Sequence, residues 1–306
     1  MRMPDATGSS LEAVLEERMT ALRAPLRGLP DIDRRIAAFV SCFERPPTQG
    51  GFKYLEPEAR ELHATVQRDA GEEGTRHFLR ACLHFAVQSS LGKGRLEHLP
   101  ARVHAHQLKQ FRRIAAHDNS FLSYCLLDSD VFLKEMGLAS LRLYAGASSV
   151  IDPHAGLGRS LLWKGGLHRL PGRALLFARA GGFRPYFEVH VHKLYLDEFN
   201  EEGRNECYRC CVDLYALHPA NLGMIGGSWF YDPVVASVSP HLAYLRTVPE
   251  SGGARVLFVS YDEQAARNAT ARSEKRRAMC AAGTYRPASW TLVWPKHAQT
   301  AWARRQ

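Results

Sequence analysis

The sequence predicts an α+β protein, with a helical N-terminal region over residues 1–125 packed on a mixed α/β domain over residues 126–306. Three observations carry this. Up to about Ala116, apolar residues recur at spacings of three and four, the period of a helix with one buried face. After Leu126, strand-like runs alternate with helical stretches, which favours a layered mixed domain. The run Phe187-Glu188-Val189-His190-Val191-His192 alternates apolar and ionisable residues strictly, as a strand with one face on a core does.

The helices come first. Leu11–Leu22 places Leu11, Val14, Leu15 and Met19 at helical spacing. Asp33–Phe43 continues the pattern, as does Glu56–Arg68, which opens with Pro57 in the first turn, where its missing N–H is not needed. Thr75–Gln88 carries Phe78, Leu79, Cys82, Phe85 and Ala86 on one face, and Arg102–Ala116 forms a further helix. Ser89-Ser90 and Gly92-Lys93-Gly94 punctuate the gap between these two. His63, His77, His84, His98, His104, His106 and His117 all fall in this region. His77 and His84 share a helix face that a metal could use, but no Glu-x-x-His pair of the bundle type accompanies them, and ordinary packing is the simpler reading.

Asp128-Ser129-Asp130 lacks the remaining positions of a calcium loop and reads as a cap for the helix that follows over Val131–Met136. Leu141–Tyr144 has strand character, and Gly146, Gly156-Leu157-Gly158 and Gly165-Gly166 mark loops. Gly156-Leu157-Gly158-Arg159 lacks both a third glycine and a clear preceding strand, so it is no dinucleotide fingerprint. Arg173–Ala178 and Tyr186–Tyr195 read as strands joined through Gly181-Gly182. A helix over Glu201–Leu217 leads to a strand over Leu222–Tyr231, then a turn at Pro240-His241 and a short helix over Leu242–Arg246. Strands over Ala254–Tyr261 and Ser289–Trp294 flank a helical stretch that Gly283 caps.

Composition narrows the class. The 306 residues are 45% hydrophobic and 23% charged, ordinary for a globular chain with one or two full cores. Seven cysteines without framework spacing favour reduced thiols. Cys207-Tyr208-Arg209-Cys210-Cys211 contains a CxxC, but with no second pair to complete a zinc pattern its cysteines read as small buried hydrophobes. Met1–Ser10 is polar and no apolar run approaches the roughly 18 residues of a membrane span, so the cytoplasm is the expected location, with no membrane partner. The net charge of +9 is uneven, since Ala271–Gln306 holds eight Lys or Arg against one acid, Glu274. Such a surface attracts phosphate-bearing cofactors, acidic small molecules or RNA; a solvated basic face is the plainer alternative. Nothing resembles a nucleic-acid-reading motif, so a partly anionic small-molecule substrate ranks ahead of nucleic acid.

The chemistry concentrates on the alternating run. As a strand it places Glu188, His190 and His192 on one face, about 7 Å apart. Histidine titrates near neutrality and a buried glutamate can be raised toward that range, which suits acid–base work. The same three residues are the ligand set of many non-haem Fe(II) or Zn centres, with His218 or His241 available as a fourth, although groups strung along one strand rarely all reach one ion. A merely structural placement is the third possibility. Met224–Pro233 supplies the neighbouring candidates: Gly226 and Gly227 weaken a strand unless a ligand or backbone must approach, and Ser228, Trp229, Tyr231 and Asp232 follow directly.

The strand–helix–strand–helix–strand–helix–strand order from Tyr186 to Trp294 resembles the second half of the GNAT N-acyltransferase fold. Asn268–Tyr285 is similar to that family's Asn followed by a helix ending A-x-x-x-Y-x-x-x-G-F, and the likeness covers roughly a third of the chain. It implies a GNAT-like domain that transfers an acyl group from acyl-CoA or another acyl donor to a small amine, as in small-molecule biosynthesis. In the family the acyl group lies where the fourth and fifth strands splay apart, here Glu188–His192 beside Met224–Asp232. The resemblance makes Glu188 or His190 the general base, gives the oxyanion to the backbone of Gly226 and Gly227, and makes Tyr231, beside Asp232, the proton donor to the leaving group. It leaves Ser228, Trp229, Arg276 and Arg277 to bind substrate or cofactor. The family's Gln/Arg-x-x-Gly-x-Gly/Ala loop is not matched: Phe199–Asn205 has a single glycine, and Glu201 and Glu202 repel phosphate at the helix start. Acyl-CoA and a carrier-bound or other donor both stay open. The non-enzymatic alternative is a binding module for an anionic partner.

Overall fold

The structure, a computed structural model, describes residues 10–48, 51–164 and 166–306. The stretch before Ser10, and Gly165 of the expected Gly165-Gly166 loop, lie outside the described residues. The chain forms two compact units, one of Met1–Gly146 with His192–Leu194 and one of Ala147–Val191 with Tyr195–Gln306. The division falls after Gly146 rather than after Cys125. The reason lies in the helix that follows Ser129, which buries every one of its positions from Val131 to Ala139 and is tied to the helices before it.

The first unit is built from α1 (Leu11–Arg23), α2 (Ile32–Glu44), α3 (Pro57–Gly92), α4 (Ala101–Ala115) and α5 (Asp130–Ala139), closed by the short strand β1 (Tyr144–Gly146). Each helix expected from spacing is present. The two read as Glu56–Arg68 and Thr75–Gln88 are continuous in α3, which breaks only at Gly71 (φ 68°, ψ −172°), a conformation that disfavours any residue with a Cβ. Ser129 caps α5 by accepting from the Phe132 amide, as its position before the apolar run predicts. Phe39, Phe43, Phe78, Phe111 and Phe132 are fully buried and dominate the core. Ser90 donates to the Ala139 carbonyl (2.7 Å), and Gln107 bridges the Leu138 carbonyl (2.7 Å) and the Ala145 amide (2.9 Å), which fixes α5 and β1 to α3 and α4. The strand expected at Leu141–Tyr144 begins only at Tyr144, because Leu141 turns the chain at φ 58°.

Buried histidines make this unit acid-sensitive. His84 is fully buried, with Nδ1 3.0 Å from the Arg80 carbonyl, and Nε2 has no hydrogen-bond partner among the described residues. Burial pushes its pKa down to about 4, against the opposing pull of the Arg80 carbonyl. His117, half-buried and stacked on Phe121 with ring centroids 3.8 Å apart, is lowered to about 4 by burial as well. Between pH 6.5 and 4 the unfolded chain binds protons that the native state refuses, so stability falls as pH drops through that window. We expect lowering the pH from 7.5 to 4.5 to cost about 2–3 kcal/mol through His84 alone. His84→Leu should remove that part of the loss in denaturant melts at the two pH values. An identical loss in the variant would show that His84 is not the titrating group.

The second unit contains β2 (Ser149–Ala155), α6 (Leu170–Ala180), β3 (Tyr186–Val191), α7 (Glu201–Leu214), β4 (Gly223–Ser228), α8 (Val235–Val238), α9 (Tyr244–Ser251), β5 (Arg255–Ser260), α10 (Glu263–Thr270), α11 (Glu274–Ala281), β6 (Ser289–Pro295) and α12 (Lys296–Ala303). Its strands lie in the order β2-β3-β4-β6-β5. β2 and β3 are antiparallel, β3 and β4 parallel, and β6 runs antiparallel to both β4 and β5. One sheet face carries Tyr186, Ile225 and Val293 under Leu161 and Phe177. The other carries Phe187, whose ring lies 5.1 Å from Tyr215, and Trp294, 5.2 Å from Tyr208 on α7. The chain is thus a mixed helix-and-sheet protein, and among the described residues no helix is long and apolar enough to cross a membrane.

Two expectations are corrected here. Arg173–Ala178 is helix, not strand: it lies in α6, with Pro171 in the first turn and Gly181 closing the helix at φ 90°. Its Ala- and Leu-rich run favours helix, and a short apolar stretch does not reveal its period. Conversely, Gly156 does follow a strand, β2, which holds Pro153 within a register irregularity between Asp152 and Ala155. The loop still leads into a single 3-10 turn, Arg159–Leu162, and not into the helix a dinucleotide site requires.

Candidate functional site

β3 and β4 are hydrogen-bonded in parallel over only two residue pairs, Phe187↔Met224 and Glu188↔Ile225. Past Glu188 no paired register continues between them, while β4 stays paired with β6 through Ser228. Successive amides of a strand point to opposite edges. Of Gly226 and Gly227, therefore, one N–H turns toward β6 and the other toward the side where β3 has ended its pairing. Glu188, Ile225, Gly226, Gly227, Lys164 and Thr291 line a cleft of about 160 Å³ at this point, with the Gly156–Leu161 loop as its wall.

Glu188 and His190 occupy neighbouring positions on one face of β3, with Glu188 Oε2 3.7 Å from His190 Nε2 and side chains 30% and 21% exposed. Glu188 lines the cleft; the Nε2 of His190 is buried behind it, within ion-pair but not hydrogen-bond distance. Gly227 is exposed and a Cβ there would meet nothing within 4 Å, so the missing side chain leaves open space at the cleft. Gly226 is different, since a Cβ would lie 2.6 Å from the Tyr231 hydroxyl and the ring leaves no room for it.

His192 does not join the other two. β3 ends at Val191, so the alternation stops one residue short. The His192 ring is buried in the helical unit, where Nε2 lies 2.9 Å from Glu135 and Nδ1 accepts from the Leu194 amide (3.3 Å). Burial lowers its pKa, opposed by the hydrogen bond to Glu135. The expected metal set Glu188–His190–His192 thus loses its third ligand. The supposed fourth ligands do not replace it. His218 packs its ring 5.7 Å from Phe187, on the sheet face opposite Glu188, and His241 stands exposed on a 3-10 turn.

Tyr231 and Asp232 have structural duties. Tyr231 is 1% exposed and its hydroxyl accepts from Arg204 Nη2 (2.8 Å); burial raises its pKa. Asp232 is buried and accepts from the Val234 amide (3.0 Å), the local bond of a turn. Ser228 closes β4 opposite Trp290. Trp229 lies under the Arg276 guanidinium, 4.6 Å from ring centroid to Cζ, while Arg276 bonds the Ala269 carbonyl and Ser239 (2.8 Å). Arg277 donates to the Thr270 carbonyl (2.9 Å), so both arginines hold the end of α10 in place.

Arg204 is the residue the sequence reading passed over. It is 1% exposed on α7 and donates to Ser149 (2.6 Å), Tyr231 (2.8 Å) and Tyr208 (3.2 Å), joining β2, α7 and the end of β4. The signal was present in its spacing: Arg204, Cys207, Tyr208 and Cys211 stand at i, i+3, i+4 and i+7, on the buried face of α7. Cys207, Cys210 and Cys211 are all buried and form no disulfide among the described residues. At the start of α7, Asn200 accepts from the Gly203 amide (2.9 Å) and Glu201 and Glu202 fill the first turn. Gly203 serves close packing there, since a Cβ would collide with the Glu198 carbonyl. Compared with family models, curated proteins and solved structures, the chain has no match.

Proposed function

We propose that the second unit is a GNAT-like N-acyltransferase domain that moves an acyl group from a thioester to a small amine, with Glu188 as general base. The observation that carries this reading is the two-residue parallel pairing of β3 with β4, with Glu188 in its last pair and Gly226-Gly227 directly beyond. The order β2-β3-β4-β6-β5, with one parallel pair among antiparallel ones, supports it.

In this mechanism the amine nitrogen attacks the thioester carbonyl and a C–N bond forms. Glu188 takes the proton that the nitrogen sheds, with the His190 ring 3.7 Å away on the same strand face. The negative charge that develops on the carbonyl oxygen meets the N–H of the Gly226–Gly227 stretch that is not used by β6. Collapse breaks the C–S bond, and the proton held by Glu188 goes to the departing thiolate, leaving amide and free thiol. The buried Tyr231 takes no part in proton delivery; through Gly226 it shapes the floor.

The test follows free-thiol release from acetyl-CoA and from an octanoyl N-acetylcysteamine thioester, each offered with a panel of primary amines. Amine-dependent release is expected with at least one donor. Gly227→Leu should cut it by about tenfold or more, since the new side chain enters a cleft of about 160 Å³, while the melting temperature stays unchanged. Release no faster than in buffer for both donors, or full activity in Gly227→Leu, would sink the reading.

A further inference from the structure

A second concavity lies in the same unit, between α6 and β5. It has a volume of about 520 Å³, within the usual range for a small-molecule site. On α6, Gly172, Leu175, Leu176 and Arg179 face it at i, i+3, i+4 and i+7, and β5 closes it with Arg255–Phe258. His168, Arg169 and Arg173 complete the lining, which contains four arginines and no carboxylate. None of these arginines forms an ion pair among the described residues, although the protein has 31 acids to offer. Arg169, Arg179 and Arg255 are exposed, and α6 alone separates Arg169 from Arg179 by roughly 15 Å of helix rise. Four guanidinium groups and no carboxylate on one concave surface give it a positive potential, which favours an anion.

The occupant is narrowed by Arg173. Its Nη2 donates to the Phe258 carbonyl (3.0 Å), midway along the sheet's end strand β5. That bond consumes an acceptor that an added peptide strand would need, which argues against strand addition and for a discrete molecule. Arg173 Nη1 also bonds the Leu161 and Lys164 carbonyls, whose residues line the Glu188 cleft. Leu257 in the groove and Val259 in the cleft both pack against the cluster of Tyr186, Ile225 and Val293, and so lie on one sheet face. The groove and the cleft therefore open on one side of the sheet, with Arg173 as their common wall.

We propose that the α6–β5 groove holds the phosphate of a small-molecule substrate, so that the amine acceptor of the reaction is a phosphate-bearing one. The acceptor role rests on the proposed function; the anion site does not. The experiment is calorimetric titration of the full chain with inorganic pyrophosphate at low salt, in wild type, in Arg169→Gln/Arg179→Gln/Arg255→Gln and in Glu188→Gln. Wild type and Glu188→Gln should bind equally, and the triple variant at least about tenfold more weakly, with unchanged melting because all three arginines are exposed. No binding by wild type, or undiminished binding by the triple variant, overturns the site. Citrate binding as tightly as pyrophosphate overturns the assignment to phosphate. In the thiol-release assay, KM for phosphorylated amines should rise selectively in the triple variant. Pyrophosphate binding of the expected pattern, with KM for phosphorylated and plain amines raised alike, overturns the acceptor role, and absence of any turnover counts against the catalytic reading alone.

Discussion

Glu188→Gln is expected to lower kcat for acyl transfer by about 10²–10⁴-fold with little change in KM, the loss typical of a missing general base. Glutamine keeps the shape and one hydrogen-bonding oxygen but cannot take up a proton. The side chain is 30% exposed, so folding should not suffer. His190→Gln should cost less, because Glu188 lines the cleft and His190 does not. Steady-state kinetics of the two variants, with circular dichroism as a check on folding, decides the matter. A kcat within about twofold of wild type for Glu188→Gln would remove the residue from the mechanism, since even weak base catalysis exceeds that.

The largest expected effect on stability belongs to Glu135→Ala, at about 3–5 kcal/mol. Glu135 is completely buried in the helical unit, where its carboxylate receives Arg113 Nη2 (2.6 and 2.7 Å) and the His192 ring (2.9 Å). Burial alone would raise its pKa; the Arg113 guanidinium and His192 outweigh this and hold it at about 2. The carboxyl pKa is depressed in the folded state, so its contribution is whole above about pH 4.5 and is lost as the pH falls toward 2. Alanine would leave the Arg113 charge, 20% exposed, without its carboxylate. Urea denaturation at pH 7 measures the change. A loss below about 1 kcal/mol would mean that water or His117, 2.8 Å from Arg113 Nη1, takes over the partner's role.

The helices of the first unit were legible because apolar residues three and four apart report directly on a helix face, and because Ser129 and Pro57 mark ends by local chemistry. β2 was not legible. Asp152-Pro153 has the composition of a turn, and only pairing with β3, across the irregularity between Asp152 and Ala155, makes the stretch a strand. α6 misled in the opposite sense, since Arg173–Ala178 is too short to show its period. The site was half legible. Glu188 and His190 share a face as alternation requires, whereas His192 departs because β3 ends at Val191 and Glu135, far away in sequence, receives the ring.

From the order of residues alone come the helical first part, the alternation that sets Glu188 beside His190, and the two glycines of β4. These depend on neighbours within a few positions, where backbone geometry dictates which side chains share a face. Tertiary structure alone decided that β3 would stop pairing with β4 after Glu188, that Arg204 would bind Ser149 and Tyr231, and that α6 and β5 would gather four arginines around one groove. Each of these joins segments tens of residues apart, and backbone pairing and burial between such segments leave no local period in the sequence to read.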